Sequence, residues 1–121
     1  MKVQVRNLDK IAVLDCTGDV DLYTSPRLRE SLLAQIKPEG PSVLVNMSGV
    51  SYIDSSGIAT LVEGLQLSRQ TQTRFGLFSL RPNARSVLEL ARLHKVFIIF
   101  ENEAEAVEKI GSASPFSGLV K

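Results

Sequence analysis

The sequence alternates short apolar runs with segments of helical periodicity. The runs "IAVLDCT", "SVLVNM", "RFGLFSL" and "VFIIF" begin at residues 11, 42, 74 and 96, and each has the length of a buried strand. A helical pattern follows each run. Such alternation predicts parallel strands joined by right-handed crossover helices, which is an α/β fold.

The N-terminal segment departs from this alternation. Residues 2–6, "KVQVR", alternate apolar and polar side chains, and a turn-like segment at 7–10 leads directly into the run at 11–17. Two strands with no helix between them predict an antiparallel hairpin. The predicted element order is ββαβαβαβα, a mixed sheet with an N-terminal hairpin and later parallel strands, covered by about four helices.

Capping residues, prolines and glycines set the predicted helix bounds. The segment "KPEGP" ends the first helix. The predicted bounds are a cap at Ser25 followed by Pro26 for the first helix, about 57–71 for the second, Pro82 to about Leu93 for the third and a cap at Asn102 for the fourth.

Length and composition fit one soluble domain. The chain has 121 residues, of which 44% are hydrophobic and 22% are charged. We expect the domain to occupy residues 1–110 and the Ser-, Gly- and Pro-rich residues 111–121 to form a loosely ordered tail. The sequence shows no signal-peptide or membrane-spanning pattern, so a cytoplasmic protein without direct membrane insertion is expected.

Charge and residue usage argue against several classes of function. Lysine and arginine total 14 against 13 aspartates and glutamates, and they are scattered, which argues against a nucleic-acid partner. Cys16 and His94 are the single cysteine and the single histidine. Neither a zinc-ligand spacing nor a phosphate-binding glycine motif occurs, so no metal and no cofactor is predicted.

The segment Asp54-Ser55-Ser56-Gly57 has more short polar residues than one helix cap requires. One interpretation is structural: these residues satisfy free N–H groups, and Gly57 lets the backbone bend. The other is that a serine at the positive end of a helix dipole accepts a phosphoryl group. No base is evident for a hydrolytic serine, so no catalytic residue and no enzyme activity is predicted.

A family resemblance favours the second interpretation. The block "SGVSYIDSSGIATLV" at 48–62, after the strand "SVLVNM" and the upstream segment "GDVDLYTSPRLRESL", resembles the STAS domain of bacterial anti-sigma factor antagonists over about residues 3–110. The resemblance implies a protein that, when unphosphorylated, binds an anti-sigma factor serine kinase carrying ATP and so frees a sigma factor. Phosphorylation at Ser55 would end this binding, and a serine phosphatase would restore it.

The resemblance also implies partner-facing residues. Asp21 and Asp54 occupy the family's acidic positions, and Ser56 lies beside the acceptor. For Asp19 and Asp21 two roles are possible, either contact with the partner or solvation and capping of the loop. Ala59 stands where the family often has glycine.

Helical periodicity gives the second helix a buried stripe of Ile58, Leu61, Val62 and Leu65. The opposite face would then present an outward strip for a partner, made of Thr60, Glu63, Gly64 and Leu67. Leu67 is either exposed there or packed under a neighbouring helix. The complete predicted partner-binding set is Asp19, Asp21, Asp54, Ser56, Gly57, Thr60, Glu63, Gly64 and Leu67.

An alternative function stays open. STAS domains also serve as accessory subunits of lipid-transport ATP-binding cassette complexes and as parts of stress-signalling assemblies. The sequence does not determine the oligomeric state.

Overall fold

The computed structural model describes residues 1–112 and contains one five-stranded sheet. The first two strands are antiparallel, and every later pair is parallel. The strands lie side by side in sequence order, which confirms the predicted mixed sheet with its N-terminal hairpin. The bounds are β1 (Lys2–Leu8), β2 (Ile11–Thr17), β3 (Ser42–Gly49), β4 (Phe75–Phe78) and β5 (Ile98–Phe100).

Helices follow every strand after the hairpin, in the predicted order. A short 3₁₀ turn, Ile110–Ser112, comes after the last helix, and residues 113–121 of the predicted tail lie outside the described residues. The bounds are α1 (Ser25–Gln35), α2 (Ser55–Thr71), α3 (Pro82–Leu90) and α4 (Glu103–Lys109).

The sheet is covered on both faces, with three helices on one side and one on the other. Alternate strand residues pack against α1, α2 and α3 in the larger core, while α4 packs on the opposite face. Val43, Leu44 and Val45 of β3 are all fully buried because their side chains enter both cores in turn. The uninterrupted apolar run of this strand is therefore the mark of its central position.

The start of α1 differs from the prediction by one residue. Thr24 is the N-cap, and Ser25 is already helical and buried. The Thr24 side chain makes no capping bond, because its hydroxyl donates to the Asp19 carbonyl at 2.8 Å and accepts from the Asp21 N–H at 2.9 Å. The predicted cap at Ser25 was wrong because the helical bonding begins one residue earlier: the Ser25 N–H already donates to the Asp21 carbonyl at 2.8 Å, and the Thr24 carbonyl accepts from the Arg27 N–H at 3.0 Å.

The end of α3 comes at Leu90, three residues before the predicted position. Arg92 adopts a left-handed conformation with φ 60°, and the Leu93 N–H donates to the Leu88 carbonyl at 2.8 Å. This is the geometry in which glycine usually ends a helix. Since an arginine occupies the position, the sequence lacks the usual signal.

Arg6 of β1 joins the hairpin to α4. Its Nε lies 2.5 Å from Asp15 Oδ2, and its Nη2 lies 2.6 Å from Glu103 Oε1. Asn46 also donates to Asp15 Oδ1 at 2.8 Å. The hydrogen bonds from Arg6 lower the pKa of both Asp15 and Glu103. This cluster links the first turn of α4 to the sheet.

We predict that Arg6→Gln lowers the free energy of unfolding by about 1 kcal/mol at neutral pH, because partly exposed ion pairs contribute little each. The two carboxyl pKa values are lowered by folding, so the stabilisation is complete above their unfolded values, near about 4, and is lost as the pH falls through the folded values.

Urea unfolding of wild type and Arg6→Gln at neutral pH and at about pH 3 measures this difference, which should close in acid. Arg85→Gln is the matched control, since its contact with Glu101 is 3.9 Å long and exposed. A difference that persists unchanged in acid would contradict the role given to the carboxylates.

Candidate functional site

Two loops lie side by side at the carboxyl ends of β2 and β3. The Val20 N–H donates to the Tyr52 carbonyl at 2.9 Å, and the Asp54 N–H donates to the Val20 carbonyl at 3.0 Å. These bonds form an isolated parallel bridge between Val20 and Ile53. We call residues 18–24 and 50–54 the loop pair. The bridge extends the parallel sheet and so sets where α2 begins.

Asp54 is the N-cap of α2. Its Oδ1 accepts from the Ser56 N–H at 2.9 Å and from the Gly57 N–H at 3.3 Å. The helix therefore begins at Ser55, two residues before the predicted start at Gly57. One carboxylate provides the cap, so neither serine is needed for capping.

The two serines differ in accessibility. Ser55 is exposed, whereas Ser56 is half-buried and its carbonyl accepts a 3.2 Å hydrogen bond from the Thr60 hydroxyl. Asp54 is half-buried beside them. Ser55 is therefore the more accessible of the two serines.

Gly57 is required for close approach of α2 to the loop pair. Its φ is not positive, so the predicted role in a backbone bend was wrong. A Cβ at this position would lie 2.5 Å from Ile53 Cγ1 and 2.7 Å from Val20 Cγ1. The first turn of the helix thus packs directly on the bridge, and Gly57 itself is buried away from any partner.

The two loop aspartates have different environments. Asp21 Oδ1 accepts from the Tyr23 N–H at 2.9 Å and the Thr24 N–H at 3.0 Å, and the bond from Thr24 is the main cause of its lowered pKa. Asp21 therefore caps the turn, as one of the two interpretations held. Asp19 is exposed, with Ser51 Oγ 3.4 Å from its Oδ1.

Two of the four residues of the predicted outward strip of α2 do not face outward. Thr60 and Gly64 are buried, because α1 packs along this side of the helix, and a Cβ at Gly64 would lie 2.6 Å from Leu32 Cδ2. Glu63 accepts two 2.7 Å hydrogen bonds from Arg29 of α1.

Leu67, the last residue of the strip, is half-buried and packs against the larger core. Of the two alternatives for Leu67, the structure therefore favours packing against neighbouring structure over full exposure. The helix has two buried sides, one toward the sheet and one toward α1, and a single amphipathic stripe does not describe it.

Several residues at this end were not singled out from the sequence. Asn83 of α3 accepts the Ile53 N–H on its Oδ1 at 2.9 Å, although the two residues are 30 positions apart. Leu22, Tyr23 and Tyr52 of the loop pair are exposed. Asn83 carried no sequence signal, whereas Leu22 and Tyr52 were visible as large apolar residues in segments predicted to be loops.

The remaining reactive groups lie elsewhere. His94 is exposed in the turn that follows the C-terminus of α3, whereas Asn83 lies in the first turn of that helix. Burial raises the pKa of the Cys16 thiol to about 12. Within residues 1–112, no three histidine, cysteine or acidic side chains are grouped to hold a metal ion. No helix in that range has the length and apolar character of a membrane span.

Known proteins share this fold and sequence pattern. The family model of the STAS domain matches residues 2–106. An anti-sigma-B factor antagonist from Listeria monocytogenes is 29% identical over 105 residues, which cover 87% of this chain and 91% of that relative.

Two solved structures support the likeness in fold. An anti-sigma factor antagonist from Mycobacterium paratuberculosis has a TM-score of 0.81 at 23% identity, covering 91% of this chain and 93% of that one. SpoIIAA of Bacillus in its phosphorylated form has a TM-score of 0.72 at 19% identity, and the match covers 90% of this chain and 99% of that one.

We predict that Gly57→Ala destabilises the protein by about 1–3 kcal/mol through overpacking, although alanine is the better helix former by about 1 kcal/mol. Urea unfolding measures the change. The control is Gly111→Ala, where an added Cβ meets nothing within 4 Å. Equal stability of both variants would show that the close contact at Gly57 is easily relieved.

We predict that Asn83→Leu leaves the buried Ile53 N–H without an acceptor, at a cost of about 1–3 kcal/mol. Amide hydrogen exchange at Ile53 should become faster in this variant, relative to strand amides of the core. Asn83→Asp retains an acceptor oxygen and should keep the protection. Unchanged exchange in Asn83→Leu would remove the role assigned to Asn83.

Proposed function

The chain belongs to the STAS domain family, and from that premise we propose that it is an anti-sigma factor antagonist whose binding is switched off by phosphorylation at Ser55. Unphosphorylated, it binds an anti-sigma factor serine kinase and so frees a sigma factor. A serine phosphatase reverses the modification. The name of the Listeria relative supports the antagonist role, and the position of Ser55 supports the switch.

The observation that carries the proposal is the accessible hydroxyl of Ser55 at the first residue of α2. A kinase must bring a nucleotide phosphate to the serine oxygen, so the acceptor has to lie at the surface. Ser56 is half-buried and less suitable. Ser55 is also free of any capping duty, since Asp54 provides that interaction.

The cap explains how a phosphoryl group changes the surface. Phosphorylation adds about −1.5 to −2 charges at neutral pH, and a helix N-terminus attracts such charge. Here, however, the Asp54 carboxylate already accepts from the Ser56 and Gly57 N–H groups. The new charge would therefore meet a like charge and stay at the surface. Binding changes through electrostatics, while the fold remains capped.

The phosphorylated form of Bacillus SpoIIAA supports this last point, because it keeps the fold that the present chain has. The chemistry of the described residues also favours binding over catalysis. The Asp54 carboxylate beside Ser55 already accepts from the Ser56 and Gly57 N–H groups on its Oδ1. His94, the single histidine, lies beyond the far end of α3, so Ser55 lacks the histidine base that commonly activates a nucleophilic serine.

We predict that incubation with ATP and a purified anti-sigma factor serine kinase of the source organism adds one phosphoryl group to the protein. Peptide mass spectrometry should place it on Ser55. Ser55→Ala should abolish the modification while keeping kinase binding, and Ser55→Asp should weaken binding by mimicking the added charge. Ser56→Ala is the matched control and should be modified like wild type.

Modification of Ser56 alone, or equal affinity of Ser55→Asp and wild type, would contradict the proposed switch. Loss of fold is not expected to confuse the result, because the exposed Ser55 makes no cap and its substitution should change stability by less than about 0.5 kcal/mol. Co-purification with an ATPase and a permease, independent of Ser55, would instead indicate a transporter accessory subunit.

A further inference from the structure

We propose that the outer edge of β1 is a pairing surface for a second copy of this chain, which joins it as an antiparallel strand with Val5 on the two-fold axis. The five-stranded sheets of the two copies would then form one continuous sheet. The inference concerns the assembly of the protein, and it does not rest on the proposed function.

The edge strand β1 is long and is paired on one side only. Its seven residues are all in register with β2, and among residues 1–112 no strand lies on its other side. An unpaired edge presents N–H and C=O groups that another strand can bind. The opposite edge of the sheet is β5, which has only three residues. β1 is therefore the edge with room for a full set of bonds.

The hairpin turn determines which backbone groups of β1 point outward. The turn consists of residues 9–10, so Leu8 and Ile11 on either side of it form a hydrogen-bonded pair. Bonded and non-bonded pairs alternate along an antiparallel ladder, so the even-numbered residues of β1 bond to β2. The residues whose N–H and C=O groups point outward are therefore Val3, Val5 and Asn7.

These outward groups favour one symmetric register. With Val5 on the axis, each copy of this residue exchanges two hydrogen bonds with the other. Val3 and Asn7 then pair with Asn7 and Val3 of the second copy, which gives about six hydrogen bonds, two for each of three pairs. An axis at Val3 or at Asn7 would pair fewer residues of the strand.

The side chains of β1 suit this register. Lys2 would lie opposite Leu8 of the second copy, and Gln4 opposite Arg6, so no like charges face each other directly. Val5 is 37% exposed and would pack against its symmetry mate, since β-branched residues pack well across strands. Pairing thus covers the exposed valine of the edge.

Arg6 meets the remaining electrostatic requirement. The two copies of this residue would lie diagonally across the axis, and charged side chains on an edge strand often prevent pairing. Here the guanidinium donates to Asp15 and to Glu103 of its own chain. The positive charge is therefore compensated within each copy, and the edge can accept a second strand.

Pairing at β1 leaves the candidate site uncovered. β2 separates β1 from β3, and Ser55 follows the carboxyl end of β3. Because the two copies of β1 run antiparallel, the two Ser55 residues would lie at opposite ends of the joined sheet. Each copy uses its one long edge in a two-fold contact, so the assembly closes as a dimer.

The test is sedimentation equilibrium of wild type, Val5→Lys and Val5→Glu. Wild type should change from one chain to two as its concentration rises. Each variant places like charges on the axis and should raise the dimer Kd by about tenfold or more, whereas an equimolar mixture of the two variants should recover association. Leu90→Lys is the matched control and should associate like wild type, since Leu90 is 85% exposed at the end of α3.

Disulfide trapping tests the register. Val5→Cys should cross-link to its second copy under oxidation, because the Cα atoms of a hydrogen-bonded pair are about 5.5 Å apart. Asn7→Cys is the control, since its two copies would be separated by about 14 Å along the strands, which a disulfide does not span. The native Cys16 is buried.

A wild type that remains a single chain at about 1 mM would refute the inference, as would assemblies larger than two chains. Equal association of Val5→Lys and wild type, or faster cross-linking of Asn7→Cys than of Val5→Cys, would refute the register. None of these results bears on the proposed function. Melting temperatures check the fold. Val5→Pro replaces Val5→Lys if the latter unfolds, because proline removes only an outward N–H and keeps the bonds to β2.

Discussion

The candidate site depends on two backbone hydrogen bonds, one from the Val20 N–H to the Tyr52 carbonyl and one from the Asp54 N–H to the Val20 carbonyl. They continue the parallel pairing of β2 and β3 past the regular strands, where the chain would otherwise separate into two independent loops. Asn83 holds the same segment from α3. The result is a rigid support from which α2 starts, so the first residue of that helix has a defined position at the surface.

Because α2 starts from this support, the adjacent residues Asp54, Ser55 and Gly57 have different structural roles. Asp54 satisfies the helix terminus, and Gly57 allows the helix to lie against the bridge, which leaves Ser55 with no structural duty. A side chain in such a position can be modified at little cost to the fold. In the proposed switch, regulation would fall to Ser55, while the stability of the segment rests on Asp54 and Gly57.

Much of this was readable from the sequence, and the exceptions have physical causes. Apolar runs and helical periodicity predicted the order of elements because burial imposes both patterns. Thr60 and Gly64 were predicted to face outward because the periodicity of α2 reveals only the side packed on the sheet. It does not reveal that α1 covers a second side of the helix. Arg92 concealed the end of α3 by taking a conformation typical of glycine. The contact from Asn83 depends on tertiary structure and left no local trace.

The bare backbone at Gly57 has a consequence for comparing such domains. With only hydrogen on its Cα, the helix touches the side chains of Val20 and Ile53 with no spacer between them. A chain that carries alanine there has to hold its helix or its loops farther apart. Glycine at this position therefore indicates, from sequence alone, that the first turn of the helix can lie as close to the neighbouring loops as it does here.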